Sequence, residues 1–521
     1  MRNFSRIFTA LFILLIGCLY STAQTHKSAG PLAKTFVNPL ALPNYPLGNW
    51  TQKPSPNLDR WLKGYVQDFR ELADPSVIYH DGMWIMYSSV RMAYVSKDFI
   101  TWTHHSVNPE KVGDGYAPTV VKNGNRWLLT GCFSELFVAD NPLGPFRSLG
   151  PIKRPDGTSI AQTIFDPQLF SDDDGKLYLY YHEKGQLVGT RLNLKDPTQM
   201  ETVPKRLAVY RPQEEWERYG EYNEDIRKNN MEGVWMLKEG GVYYLTFTGP
   251  ATAAGTYAIG AYKGSLPLGD FEYQNNNPIL RKTTGVVPGV GHGSIVKGPN
   301  NTLWAFVTSV VGNYHVFERR VGLFPVGIDE NKELIAFASR DVPQWAPGLL
   351  PNPEKGNEAG WLPVSVRTIA RASSEAPGRT ADYAMDDNAR TWWRPDDEDQ
   401  TPSLTIDFKN AYDIAAIRIL WSEEGLNHKK GVVSKPLKYR LLYQLKTSDE
   451  WKVALDCSNN QVDYLIDYRT YEAVYARRVK LEIIQDNPDA KIGVQELTVF
   501  GKVPDDQADK VLEKATILTE Q

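Results

Sequence analysis

The sequence predicts an all-β protein, a five-bladed β-propeller followed by a β-sandwich, on three observations. A loose two-strand unit recurs five times between about residue 70 and residue 345. Four of the five copies open on an ionisable residue at the same place in the unit. Near residue 346 the pattern gives way to a Pro- and Gly-rich stretch and then to a different set of short alternating strands. A chain of 521 residues exceeds what one ordinary core organises, so more than one domain is expected.

With 42% hydrophobic and 23% charged residues the composition is that of a soluble globular protein. A net charge of -4 supplies no basic field for nucleic acid or anionic lipid. The 14 Trp and 27 Tyr offer flat apolar faces that suit sugar rings, although most such residues serve packing.

The first residues, MRNFSRIFTALFILLIGCLYSTAQ, read as a signal peptide over 1–23: Arg2 and Arg6 precede an apolar run, and Ser21, Thr22 and Ala23 follow it. Two outcomes are open. Cleavage after Ala23 releases a soluble protein, whereas Leu15-Ile16-Gly17-Cys18 resembles a lipobox that would leave a lipid on Cys18. After processing only Cys132 and Cys457 remain, in different expected domains, so no disulfide framework is predicted.

The repeated copies are ADPSVIYHDGMWIMYSS, YAPTVVKNGNRWLLTG, FDPQLFSDDDGKLYLYYH, MEGVWMLKEGGVYYLTFT and GHGSIVKGPNNTLWAFVTS. Their turns, Asp81-Gly82, Asn123-Gly124, Asp174-Gly175, Gly240-Gly241 and Asn300-Asn301, use residues that tolerate positive φ, as tight hairpins need. A period of some 40–60 residues with several short strands per unit is that of a propeller. The stretches MAYVSKDFITWTHH, LFVADNPLGPFRSLG and YAIGAYKGSLPLGDFEYQ fit the outer strands, and 211–230 reads as a loop insertion over one face. One β-sandwich, or two in tandem, is the competing architecture.

Aligned on this unit, Asp74, Ala117, Asp166, Glu232 and His292 open the five blades. The first strand of a propeller blade lines the central channel, so Asp74, Asp166 and Glu232 converge on one cavity. Clustered carboxylates raise one another's pKa, which a fold does not need and hydrolysis of a glycosidic bond does. One must deprotonate water, one must hold a proton for the leaving oxygen, and a third can tune that acid. The alternative reading makes each Asp a turn cap ahead of a strand.

These motifs, with SKDFITW and YAPTVV, resemble glycoside hydrolase family 43 over roughly residues 36–345. The resemblance implies a five-bladed enzyme that inverts anomeric configuration, with Asp74 as general base, Asp166 as modulator of the acid's pKa and Glu232 as general acid. It implies that His292 stands near the axis and contacts a central cation, often calcium. Tyr116, where the family usually has Trp, Phe165 and His292 become sugar-binding candidates, together with Arg319 or Arg320, of which Arg319 is taken. The expected substrate is an arabinofuranoside in plant-type polysaccharide or oligosaccharide, which would make the enzyme an α-L-arabinofuranosidase. The alternatives are a β-D-galactofuranosidase or β-xylosidase of the same fold, a retaining or phosphorolytic relative, and a non-catalytic sugar-binding propeller.

After a linker at 346–356, residues 357–503 resemble a coagulation factor 5/8 type C (discoidin) domain, a jelly roll shared with carbohydrate-binding module family 32. ARASSE, ADYAMDDNARTWWRP, SLTIDFKNAYDIAAIRILW and GVQELTVFG carry that resemblance. It implies a calcium site at Asp386, Asn388, Thr391 and Glu496, all oxygen donors, with Asp387 where the usual loop has Gly. The tail 504–521 reads as a frayed helix or disordered. No organic cofactor, nucleic-acid partner or membrane span is expected. The protein is expected to be an exported monomer, secreted or periplasmic in a bacterium, or held at the outer membrane through Cys18.

Overall fold

The hydrophobic alternation of the repeats folds into five antiparallel sheets arranged as a ring. In this computed structural model the described residues are 32, 34–46, 69–89, 92–107, 115–228, 230–312, 317–484 and 491–503, so the leader and the tail lie outside them. Blade 1 is built from Ser76–His80, Met83–Ser88, Met92–Ser96 and Thr103–Ser106, hydrogen-bonded in that order. Blade 2 runs from Thr119–Asn123 to Arg147–Gly150, blade 3 from Phe165–Ser171 to Lys205–Val209, and blade 5 from Val290–Lys297 to Leu334–Ala336, each of four strands in sequence order. Blade 4 starts at Glu232–Glu239 and carries an extra short strand, Leu280–Arg281, on its third strand.

The predicted turns take the conformations their residues allow. Asp81 and Gly82 have φ of 48° and 76°, and Gly240 and Gly241 57° and 80°, as hairpins of matching twist require. In blade 2 Asn123 pairs with Arg126, so the turn falls on Gly124 and Asn125, one residue later than expected.

Packing between blades closes the ring. Ile85 and Tyr87 of blade 1 meet Val120 and Trp127 of blade 2, and Leu128 and Val138 meet Leu169 and Leu179 of blade 3. Tyr178 and Tyr180 meet Met236 and Phe247, Ile259 and Ala261 meet Ile295 and Ala305, and Trp304 and Phe306 return to Val77 and Met86. Both faces of each blade are therefore apolar, which is why the strands read as near-continuous hydrophobic runs. Thr35–Phe36 pairs with Gln344–Trp345, so the two ends of the propeller segment are stitched together.

The C-terminal strands form one sheet in the order Leu362–Pro363, Lys491–Lys502, Ser403–Glu424, Ile466–Ile484, Lys438–Gln444, Lys452–Asp456, with Ile369–Ala372 added on Ser403–Glu424. The long strands bend at register shifts near Asp407 and Ile414, as a discoidin-like sandwich requires, around a core that includes Trp393, Trp421 and Tyr439. This domain packs on the propeller: Val286, Val287 and Val311 share an apolar cluster with Ala389, Leu420 and Ile466.

Candidate active site

The hub is built by an unusual backbone at the start of each blade. Asp74, Ala117, Asp166 and His292 all take positive φ (51°, 45°, 46° and 28°), a region disfavoured for residues with a Cβ. In blade 4 that conformation falls on Gly233, at φ 61°. Glu232 therefore stands one residue before the position Asp74 and Asp166 occupy, which corrects the alignment expected from sequence. Strand pairing agrees: Gln168 faces Tyr180 and Ser294 faces Phe306, and the matching pair in blade 4 is Trp235 with Thr246. Gly233 has no alternative there, since a Cβ would lie 2.5 Å from Thr248 Oγ1 and 2.9 Å from His292 Cγ. Register shifts at these points in blades 3, 4 and 5 turn the ladder aside where the polar groups converge.

His292 ties two of the carboxylates together. Its Nδ1 lies 3.2 Å from Asp74 Oδ1 and 3.3 Å from Asp166 Oδ2. Burial works against the imidazolium, but Asp166 and Asp74 outweigh it and push the pKa up to about 9.

Asp74 is 5% exposed and is approached by donors on both of its oxygens. Ser89 Oγ donates to Oδ2 at 2.6 Å, Thr308 Oγ1 to Oδ1 at 3.4 Å, and Arg319 reaches Oδ1 from Nη1 (3.2 Å) and Oδ2 from Nη2 (3.3 Å). Burial alone would raise its pKa, but Arg319 and then His292 hold the carboxyl well below the usual range. Asp166, also 5% exposed, accepts the Cys132 thiol on Oδ1 at 3.2 Å and the Gly233 N–H on Oδ2 at 3.1 Å.

Glu232 is in the opposite state. It is only half-buried, with Oε1 accepting from the Tyr257 hydroxyl at 3.1 Å and Oε2 from Asn230 Nδ2 at 3.2 Å. Burial, then the charge of Asp166, push its pKa up to about 8 against the pull of His292. Two carboxyls in one hub are thus driven apart, one held ionised and one held protonated at neutral pH.

The structure chooses between the adjacent arginines. Arg319 faces the hub, pairing with Glu71 and Asp74 and reaching Thr252 Oγ1 at 3.4 Å. Arg320 turns away, donating Nη1 to the carbonyls of Arg70 and Arg319, both at 2.7 Å. Tyr116 is brought to the same corner, its hydroxyl 3.4 Å from Glu71 Oε2 and its ring 5.8 Å from both the Arg319 guanidinium and the Phe317 ring. Phe165 is half-buried beside Asp166, its ring 5.8 Å from those of Phe133 and His182.

Glu71, Tyr257, Cys132, Ser89, Thr308 and Gly233 escaped the sequence reading. Glu71 carried a signal, a carboxylate between Phe69 and Leu72, three residues before Asp74. It is fully buried, and burial raises its pKa to about 7 despite Arg319.

In the sandwich, the four expected calcium donors lie in one loop and the strand beside it. Thr391 Oγ1 donates to Asp386 Oδ2 at 2.7 Å, the Asn388 N–H to Asp386 Oδ1 at 3.1 Å, and the Asp387 N–H to Glu496 Oε2 at 3.1 Å. Asp387 takes φ 63°, the left-handed conformation Gly adopts easily and Asp tolerates, so its presence leaves the turn intact. Glu496 Oε1 is buried with no hydrogen-bond partner, an orphaned acceptor of the kind a cation satisfies. At the hub, by contrast, the carboxylates are taken up by His292, Arg319 and hydroxyls. Among the described residues no group of three or more His, Cys, Asp or Glu is placed to hold a metal.

Two protein families match the chain, one over the propeller and one over the sandwich. Residues 67–333 match Glycosyl hydrolases family 43, and residues 369–496 match the F5/8 type C domain. Beta-D-galactofuranosidase xynD of Aspergillus niger is 24% identical over 231 residues, which cover 39% of this chain and 61% of that protein. The match thus spans less than two thirds of that relative's length. A solved glycoside hydrolase aligns at 17% identity and TM-score 0.46, covering 82% of this chain and 97% of its own. A thermostable family-43 glycoside hydrolase aligns at 19% identity and TM-score 0.45, covering 60% and 99%. With the family matching more than half of its length, this chain belongs to glycosyl hydrolases family 43 and carries an F5/8 type C domain behind the propeller.

Proposed function

We propose that the protein is an exported inverting glycosidase that releases terminal furanose residues, L-arabinofuranose in the first instance, with Asp74 as base and Glu232 as acid. The observation that carries this reading is the split in protonation. Asp74 is held ionised by Arg319 and His292, while Glu232 keeps its proton up to about pH 8 through burial and the neighbouring Asp166.

Asp74 orients a water and takes its proton as the oxygen closes on the anomeric carbon. Glu232, the least buried of the three, passes its proton to the leaving oxygen while the glycosidic bond breaks on the opposite face, so the configuration inverts. A base held so far below neutrality gains its driving force late, when attack on an oxocarbenium-like centre has made the water acidic. Asp166 keeps Glu232 protonated by its own charge, and Cys132 and the Gly233 N–H fix it there. Tyr257 and Asn230 orient the two oxygens of the acid. Tyr116, beside Arg319, and Phe165, next to Asp166 in the chain, would supply the aromatic wall for the sugar.

β-D-Galactofuranose is the second reading, supported by the name of the Aspergillus niger relative. The two sugars share ring configuration and differ in the exocyclic chain, so one ring-binding pocket accepts both and the space beyond C4 discriminates. A β-xyloside, with a six-membered ring, stands third. A purified-enzyme assay on nitrophenyl arabinofuranoside, galactofuranoside and xyloside, with the first-formed product anomer read by NMR, tests both substrate and stereochemistry. A retained anomer defeats the mechanism.

In the sandwich, Asp386, Asn388, Thr391 and Glu496 would hold a calcium ion whose contribution is to lock that loop. The hub donors do not make a comparable case, and no step above uses a cation. Export through a leader at 1–23, ending in soluble release or in a lipid on Cys18, belongs to the same proposal and lies outside the described residues. Among the described residues no helix is long and apolar enough to cross a membrane.

A further inference from the structure

The sandwich reaches to within one peptide bond of the hub. Arg70, 2% exposed at its side chain, donates from Nη2 to both oxygens of Glu423 (3.2 and 3.0 Å) and from Nη1 to Asp463 Oδ2 at 2.6 Å. Glu423 stands at the end of strand Ser403–Glu424, and Asp463 in the loop before Ile466–Ile484. The next residue in the chain is Glu71, which holds Arg319, which holds Asp74. Arg320 braces the same link from behind through the carbonyls of Arg70 and Arg319. The N-terminal segment encloses it: Asn44 donates its N–H and Nδ2 to Asp463 at 2.8 and 2.9 Å, and the Tyr45 hydroxyl accepts the Glu71 N–H at 2.6 Å.

Joining two domains does not call for buried ions. Desolvating one arginine and two carboxylates offsets most of their attraction, and the apolar contact of Val286, Val311, Leu420 and Ile466 already binds the sandwich to the propeller. What the converging carboxylate contacts on one guanidinium add is direction: they fix the backbone at residues 70–71, and with it the carboxylate that aims Arg319.

We propose that Arg70, clamped by Glu423 and Asp463, is a positioning residue for hydrolysis. The C-terminal domain is then part of the catalytic unit, setting the aim of Asp74 through Glu71 and Arg319 whatever it binds on its own loops. The inference rests on the reading of Asp74 as base.

The test uses the full chain with Glu423→Gln, Asp463→Asn, the two combined, and Arg70→Lys, alongside Asp74→Asn. Turnover and the pH dependence of kcat/KM are measured on the aryl furanoside the parent cleaves best, with the folded fraction taken from near-UV circular dichroism. The combined variant should lose about 10- to 100-fold in kcat with KM nearly unchanged, and its acidic limb should move to higher pH as Arg319 loosens from Asp74. Arg70→Lys, which keeps the charge and loses the fork, should fall between it and the parent. If the combined variant does not fold, the single variants carry the same comparison. Parent-like kcat and acidic limb would overturn the proposal, as would a loss of activity that only tracks the folded fraction with the limb unmoved. Asp74→Asn separates the two levels: parent-like turnover in that variant sinks the base assignment itself, whereas its inactivity beside parent-like clamp variants sinks only the role of the sandwich.

Discussion

Glu232→Gln isolates the proton that the proposed mechanism needs. The substitution keeps size and hydrogen-bonding reach but removes the one carboxyl of the three that stands both protonated and half-exposed. With its pKa pushed up to about 8, Glu232 is about nine-tenths protonated at pH 7, so the parent works near its full complement of acid. General acid catalysis is worth about 10²- to 10⁴-fold, so the variant should lose that much kcat on an alkyl or sugar leaving group. On a dinitrophenyl glycoside, whose leaving group departs as an anion, the loss should nearly vanish. The alkaline limb of the parent, expected near pH 8, should be missing from the variant on that activated substrate. Stability supplies an independent reading. A carboxyl raised from 4.5 to about 8 contributes fully below its unfolded pKa, and that contribution is lost as pH rises through the folded value. Glu232→Gln, which never ionises beside Asp166, should therefore melt higher than the parent at pH 9 and gain less at pH 5. Equal turnover of parent and variant on the poor leaving group would refute the assignment of the acid.

Further outcomes follow from the same contacts. Gly233→Ala places a Cβ 2.5 Å from Thr248 Oγ1 at φ 61° and should lower kcat at least tenfold through displacement of Glu232 and His292, read by steady-state kinetics on folded protein. Arg319→Lys loses the forked contact to Asp74, whose pKa should rise toward its ordinary value. The acidic limb of kcat/KM should then move up in pH, and an unmoved limb would contradict the electrostatics described here. Chelation with EGTA should lower the melting temperature, added calcium should restore it, and Glu496→Gln should abolish the response; a melting curve indifferent to chelator in the parent defeats the sandwich site. Trp304→Ala, fully buried where blade 5 closes on blade 1, should cost about 3–5 kcal/mol in denaturant unfolding.

Much of the architecture was legible because it is periodic. Hairpin chemistry at Asp81-Gly82 and Gly240-Gly241, repeated between apolar strands, admits few arrangements other than blades. Asp74 and Asp166 share a place in that repeat and share a left-handed backbone in the fold. Glu232 was identified through the same alignment, yet its place was off by one. Nothing in MEGVWM says whether the Glu or the Gly takes the positive φ; the space beside Thr248 and His292 decides it. The same holds for Arg319 and Arg320, neighbours of identical chemistry that only their surroundings tell apart.

By itself, then, the order of residues determined the fold class and the two families it joins, and pointed to three carboxylates as candidates, because strand period, turn chemistry and repeated motifs are local properties of the chain. Tertiary structure alone decided which carboxyl is ionised and which protonated, that Glu71 joins the hub, and that Arg70 links it to Glu423 and Asp463 more than 350 residues away. Those outcomes depend on burial and on charges brought within hydrogen-bond distance from remote segments, and sequence spacing carries no record of either.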